Sequence, residues 1–334
     1  MAVSLKSIAE HLNVSTCIVS QVLNDHPRAR SLRSETREKI LAAARELGYS
    51  RNEMAAAMAR KNSNVLAFVT GNMGAVEYTG RIQNGVLEAA GRYNYLVMLH
   101  RLNDSSPAET AQKILGWRAA GVIFHVVSLE DIKEITQVLE KNDIPWGTVN
   151  LSNPGGIGVT SDDFSGTENM VKLFAQNNRR HAAYLTSSGN EIGEFAVKRS
   201  SGYISGIKKY YPSHSETILN FSSGMPELLS QIRELKIDAI VCDSDRIAAE
   251  LINAAVSAGF RVPEELSVAG FGNSVISEYT NPPLTTVAQD FEDMATHTVR
   301  QVVCVIEKCR AETEYNQFLP VTILQRGSTG GRCL

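Results

Sequence analysis

Along the first fifty positions apolar residues recur three and four apart, the period of a helix with one buried face. Leu5, Ile8, Ala9 and Leu12 form one such stripe with Ser4 placed to cap it, which predicts a short helix ending near His11 or Leu12. Asn13 and Val14 make a tight connection. Ser15 caps a second helix over 16 to about 24, with Val19, Val22 and Leu23 facing inward. A basic loop over 26–33 follows. Ser34 then opens a third helix over 35–47, with Ile40, Leu41, Ala44 and Leu47 as its stripe and Gly48 as its stop.

Past a tether at 51–63 the pattern changes to short apolar runs at 65–69, 95–99, 121–124, 146–149, 182–185, 239–242 and 267–271. Stretches of helical period separate them, among them 82–90, 129–139, 168–174 and 247–258. Strands alternating with helices predict parallel sheets covered on both faces, and the number of runs predicts two lobes. The expected fold is therefore an all-α head on an α/β body of two doubly wound parallel-sheet lobes. Ligands of such sheets sit beyond the carboxyl ends of the strands. Those ends carry Thr70 and Asn72, His125, Asn150, Asp243 to Asp245, and Gly272 with Asn273.

Two short helices joined by a tight turn and followed by a third have the outline of a helix-turn-helix. The outward face of the second holds Thr16, Cys17, Ser20, Gln21 and Asn24, all small or hydrogen-bonding, as a groove-reading surface requires. Periodicity alone leaves a purely structural helical subdomain equally open. The Ala-rich tether has high helix propensity but falls short of the ~12–15 residues a lone helix needs in water. It is either a helix that forms only when something packs on it or a plain linker.

Charge sharpens this picture. The chain has 334 residues and a net charge of −3, yet residues 1–62 hold ten Lys and Arg against six Asp and Glu, so +4 sits on the head and −7 on the rest. A basic head on an acidic body points to a polyanionic partner at the N-terminus. Cys17, Cys242, Cys304, Cys309 and Cys333 are scattered and odd in number, which fits small hydrophobes in a reducing compartment and no structural zinc. No apolar run is long enough to span a bilayer, and Lys6, Glu10 and His11 occupy the place of a signal-peptide core. The expectation is a cytoplasmic, nucleoid-associated protein without membrane, metal or cofactor. Catalytic motifs are missing, so no enzyme is expected: Gly156-Ile157-Gly158-Val159-Thr160-Ser161 lacks a third glycine, sits in a Pro/Gly loop, and reads as no dinucleotide site.

Read together, Leu5-Lys6-Ser7-Ile8-Ala9 and Val14-Ser15-Thr16-Cys17-Ile18-Val19-Ser20-Gln21-Val22-Leu23-Asn24 resemble the head of the lactose-repressor/galactose-repressor (LacI/GalR) family of bacterial regulators. So do Thr36-Arg37-Glu38-Lys39-Ile40 and Ala43-Ala44-Arg45-Glu46-Leu47-Gly48-Tyr49. In the body, Arg199-Ser200-Ser201-Gly202-Tyr203, the run 262–271, Pro282-Pro283-Leu284-Thr285-Thr286-Val287 and Arg326-Gly327-Ser328-Thr329 are similar to family motifs, in the same order. The resemblance implies a helix-turn-helix DNA-binding domain over 1–50, a hinge helix over 51–63 and a periplasmic-binding-protein-like body over 64–334. Its N-lobe would span about 64–160 and 290–320, its C-lobe about 161–289 and 321–334.

The family's function is then expected: a homodimeric repressor on pseudo-palindromic double-stranded operator DNA, modulated by a small polar effector such as a sugar, sugar derivative or nucleoside. By position, Thr16, Cys17 and Gln21 would read bases, while Ser15, Ser20, Asn24, Arg28 and Arg30 would contact the backbone. Asn52, Ala55 and Met58 would act from the hinge, Met58 in place of the family's minor-groove leucine. Arg199 leads the effector candidates, with Asn72, Tyr78, Asp162, Phe221, Ser244, Asp245 and Asn273. Departures are informative. Gln21 replaces the usual arginine and favours adenine over guanine. Gly272 replaces the aspartate that sugar-responsive members use to accept from ligand hydroxyls. A regulator with a protein corepressor or no effector is the alternative, and a solute-binding protein or a sugar or nucleotide enzyme the remoter ones.

Overall fold

The computed structural model describes residues 3–24, 26–49, 63–71, 77–187, 193–309 and 315–330. The chain divides into two compact units, Met1–Ser63 and Asn64–Leu334.

In the head, α1 (Leu5–Leu12), α2 (Thr16–Leu23) and α3 (Ser34–Glu46) pack around fully buried Ile8, Val19 and Ile40. Helices of 8, 8 and 13 residues are marginal alone. Burying each of these aliphatics contributes ~1.5–3 kcal/mol, which holds the three together. Ser4 and Ser7 form a reciprocal capping box, Ser15 caps α2 through the Ile18 amide, and Asn13 turns the chain at φ 52°. Two details differ from the sequence expectation. The basic loop contains a 3-10 turn, Pro27–Ser31, because Ala29 tucks into the core while His26 Nδ1 accepts from the Arg28 amide. Helix α3 begins at Ser34 itself, with Arg33 in the cap position and no side-chain cap.

The body carries two six-stranded sheets. The first contains β1 (Val65–Thr70), β2 (Leu96–Arg101), β3 (Gly121–His125), β4 (Trp146–Val149), β5 (Ile157–Ser161) and the late strand β11 (Gln317–Leu319), in the order β11-β5-β4-β3-β1-β2, all parallel. Helices α4 (Glu77–Arg92) and α12 (Phe291–Ile306) cover one face; α5 (Pro107–Gly116) and α6 (Lys133–Lys141) cover the other. The second sheet contains β6 (Ala182–Thr186), β7 (Ile218–Asn220), β8 (Ala239–Cys242), β9 (Ser267–Phe271), β10 (Thr285–Ala288) and β12 (Thr322–Leu324), in the order β12-β10-β9-β8-β6-β7. Only β12 runs antiparallel to its neighbour. Its faces are covered by α7 (Asp163–Gln176) with α8 (Glu194–Tyr210), and by α9 (Met225–Glu234) with α10 (Asp245–Ser257). The chain passes from one sheet to the other three times, after β5, after β10 and between β11 and β12.

The segment expected to be a Pro/Gly loop at 156–161 is largely β5, whose five residues are all buried between β4 and β11. Its backbone groups are engaged in the sheet ladder, so they cannot cradle a phosphate. Cys242 is the small core hydrophobe the sequence led us to expect, but Cys17 and Cys309 are exposed; Cys333 lies outside the described residues. Among the described residues no helix is long and apolar enough to cross a membrane.

The Arg-x-x-Gly-Tyr motif sits on α8 and shows how sequence positions the cleft. A Cβ on Gly202 would run into the Phe164 carbonyl of α7, so glycine lets the two helices close up. Tyr203 Oη donates to the Ala182 carbonyl (3.1 Å) and accepts from the Thr217 amide (2.8 Å), fixing α8 to the second sheet. That close crossing brings Arg199 to the first turn of α7.

Candidate effector cleft and nucleic-acid interface

Between the lobes lies a cavity of about 360 Å³. Its wall includes Tyr78, Arg199, Ser244 and Asp245, four of the residues expected from sequence. The other expectations fall elsewhere. Asp162 caps α7 by accepting from the Ser165 amide at 3.1 Å, a structural task at a helix start. Phe221 packs against the core around α9 and α10. Asn273 lies beside the wall with its Oδ1 accepting from Arg326 Nη2 at 2.9 Å. Asn72 lies outside the described residues.

Arg199 is 7% exposed and tied on three sides. Its Nε donates to Asp163 Oδ2 (2.9 Å), Nη1 to the Asp243 carbonyl (2.5 Å) and Nη2 to Gln289 Oε1 (3.2 Å). Its guanidinium lies 3.8 Å from the Phe271 ring centroid. A guanidinium has five N–H donors, so two remain for a ligand. Gln289 Nε2 donates to Ser161 Oγ and Asp163 Oδ1, which closes the network. Asp163, rather than Asp162, is thus the acidic partner; Asp243, Gln289, Phe195, Phe271 and Phe291 complete what sequence reasoning missed. Of these, strand-end position marks only Asp243. Gln289 belongs to no recognisable spacing.

Asp245, 2% exposed, opens α10 and accepts from Thr286 Oγ1 (2.5 Å), the Ser274 amide (2.6 Å) and Ser274 Oγ (3.0 Å). Burial nonetheless pushes its carboxyl above the ordinary range. Asp243, 3% exposed, accepts on Oδ2 from the Ser187 amide (2.6 Å) and hydroxyl (2.7 Å), while Oδ1 has no partner among the described residues. Gly272, at φ 123°, occupies a conformation that L side chains rarely adopt. An aspartate there would be strained, and Arg81 Nη1 reaches the Gly272 carbonyl at 3.5 Å.

The rim is bridged on both sides. Glu77 accepts from the Val275 amide (2.9 and 3.0 Å), and Glu194 accepts from the Ser152 amide (2.8 Å) and hydroxyl (2.5 Å). Burial works to raise the Glu194 carboxyl, but Lys198 and Ser152 outweigh it and hold it below the usual value. Deeper in, Tyr78 stacks on Phe291 (5.5 Å) and stands edge-on to His125 (5.7 Å). His125 is buried against Thr70 Oγ1, and burial brings its imidazole down to about 4.

On the head, Ser15, Thr16, Cys17 and Asn24 are exposed and Ser20 and Gln21 half-buried along one side of α2. Asn24 Nδ2 donates to the Ser20 carbonyl (2.7 Å), and Gln21 Nε2 lies 3.4 Å from Cys17 Sγ. Arg28 and Arg30 project from the 3-10 turn on either side of buried Ala29. Asn52, Ala55 and Met58 lie outside the described residues.

Residues 4–52 match the model of bacterial regulatory proteins, lacI family, and residues 171–329 match that of a periplasmic binding protein-like domain. The HTH-type transcriptional regulator RegA of Clostridium saccharobutylicum is 26% identical over 98% of this chain and 100% of its own length. Catabolite control protein A of Staphylococcus epidermidis is 25% identical, with the same coverage. Among solved structures, the lac repressor dimer bound to operator and the anti-inducer ONPF matches with a TM-score of 0.84 at 23% identity, over 98% of this chain and 99% of that one. A transcriptional regulator CelR–cellobiose complex matches at 0.67 and 20% identity, with the same coverage.

Proposed function

The chain belongs to the lacI family of bacterial regulatory proteins, and from that premise we propose that it represses transcription by binding operator DNA in response to a small polar ligand held in the interlobe cleft. The carrying observation is the head's second helix: a polar, solvent-facing side built on a three-helix core, with arginines exposed just beyond it. Thr16, Cys17 and Gln21 meet base edges in the major groove. Ser15, Ser20, Asn24, Arg28 and Arg30 hold the phosphates, and Asn52, Ala55 and Met58 act from the tether.

The protein works as a homodimer, so that two heads meet the halves of a pseudo-palindrome. The short helix α11 (Ile276–Tyr279) supports this: Val275, Ile276 and Tyr279 are 59%, 42% and 79% exposed, an apolar surface suited to self-association. Operator DNA as partner places the protein in the cytoplasm, at the nucleoid. A ligand that favours one lobe arrangement shifts operator affinity by a coupling of ~1–3 kcal/mol, and DNA shifts ligand affinity equally. Gly272 favours a second reading, in which a protein corepressor or no effector replaces the small ligand.

Selection of bound sequences from random duplexes, repeated with sugars, sugar phosphates and nucleosides, tests both. The proposal expects enrichment of a two-fold symmetric site and a metabolite-dependent change in its recovery. Enrichment that ignores every metabolite favours the second reading, and no enrichment at low salt ends both.

A further inference from the structure

We infer that Cys304 and Cys309 form a two-thiol site that a peroxide closes into a disulfide, a modification independent of the cleft and of its ligand. The end of α12 fixes their geometry. The Lys308 amide donates to the Val305 carbonyl (3.2 Å) and the Cys309 amide to the Cys304 carbonyl (2.9 Å), while Lys308 takes a left-handed φ of 53°. This pair of bonds folds the chain back, so that the residue after the left-handed one meets the residue five positions before it. Standard bond lengths then keep the Cα atoms of Cys304 and Cys309 within about 6.8 Å, inside the range that a disulfide bridges.

The same turn closes α4, α6 and α9. There the facing positions hold Ala90 with Tyr95, Leu139 with Ile144, and Ile232 with Ile237. Apolar pairs suit the position because each side chain covers the other. After α12 the pair is instead two thiols, Cys304 half-buried and Cys309 exposed. They supply little of the burial that an apolar pair gives, so the role of small core hydrophobe, which fits fully buried Cys242, does not fit them. The thiols also meet each other: the Cys309 thiol is held above its ordinary value, chiefly by its hydrogen bonding with the Cys304 thiol beside it.

The chemistry is that of a thiol pair with an outside oxidant. Hydrogen peroxide transfers one oxygen to a thiol sulfur, giving a sulfenic acid and a first water. The second sulfur attacks the sulfenic sulfur; the S–S bond forms, the S–O bond breaks, and the hydroxide leaves with the second thiol's proton as another water. Two thiols are oxidised and one peroxide is reduced. Because the second thiol is already in place, the sulfenic acid is consumed before more peroxide carries it to the irreversible sulfinic acid. A thiol held above its ordinary value is little ionised at neutral pH, so the pair answers sustained peroxide and not a trace of it. In a reducing compartment it rests as two thiols, and a thiol reductant restores it after oxidation.

The test treats the full chain, reduced and desalted, with a modest excess of hydrogen peroxide, then blocks free thiols and digests with trypsin. Cleavage after Lys308 separates the two cysteines, so a link between them appears in the mass spectrum as two joined peptides. That link should exceed any other cysteine pairing at least tenfold and should vanish on treatment with dithiothreitol. Cys309→Ser, at an exposed position, should abolish it without shifting the melting temperature of the reduced protein. The inference is overturned if Cys309 passes to sulfinic or sulfonic acid unlinked, or if Cys304 stays free to be blocked. Disulfides that run mainly through Cys17 or Cys333, within or between molecules, would overturn it equally. None of these outcomes touches the operator or effector readings, which the duplex selection decides.

Discussion

The head and the body both rely on arginine, under opposite conditions. Arg28 and Arg30 stand in solvent, and neither takes part in an ion pair among the described residues. Arg199 is enclosed by α7, α8 and the ends of β8 and β10, with every contact defined. An exposed guanidinium interacts weakly at any one point but acts over about a Debye length, ~8–10 Å, which suits attraction to a phosphate backbone. A buried one cannot act at range; it needs partners in fixed places, and so selects the group that completes its set. The same residue type thus gives affinity without choice in one unit and choice without reach in the other.

The strongest way to break this contrast is Arg199→Ala. Leaving three buried carboxylates around a void should cost ~3–5 kcal/mol in urea or thermal unfolding of the body. Loss below 1 kcal/mol would mean that the network is solvated. Acid sharpens the contrast next. The unfolded chain takes up a proton at an ordinary histidine value near 6.5, whereas folded His125 resists it down to about 4. Stability is therefore full above pH 6.5 and declines by roughly 3 kcal/mol as pH falls to about 4. His125→Asn should flatten that part of the pH–stability curve.

Smaller effects belong to the head. Gln21→Ala should reduce discrimination at one base position by ~1–3 kcal/mol, measured on operator variants, with the salt dependence intact. Loss of salt dependence there would make Gln21 a backbone contact. Arg28→Ala with Arg30→Ala should do the reverse, lowering the log–log salt slope by about 1.8, or roughly tenfold in affinity between 50 and 200 mM salt, on every sequence alike. Unfolding of the body should not change.

Much of the head was legible because caps and stripes are local signals: Ser4 and Ser15 sit where the helices begin, and Gly48 follows the end of α3. The turn at Pro27–Ser31 escaped notice because its cause, Ala29 entering the core, is a tertiary contact. In the body the long buried strands announced themselves as apolar runs. Strands of three residues, β7, β11 and β12, carry too little pattern to be seen. The cleft was read half-way. Ser244 and Asp245 follow the end of β8 and are legible from strand position, whereas Arg199, inside α8, and Tyr78 are legible only through the family resemblance. Which of two adjacent aspartates, 162 or 163, turns inward is fixed by the phase of α7, and composition is blind to that phase.

The triple passage of the chain between the sheets has a mechanical meaning. One connector would leave the lobes free to swivel like a ball on a string. Three side-by-side connectors take away twist and sliding, and leave bending about a single axis as the soft motion. Free energy gained at the mouth of the cleft is then spent along that one coordinate, instead of leaking into many.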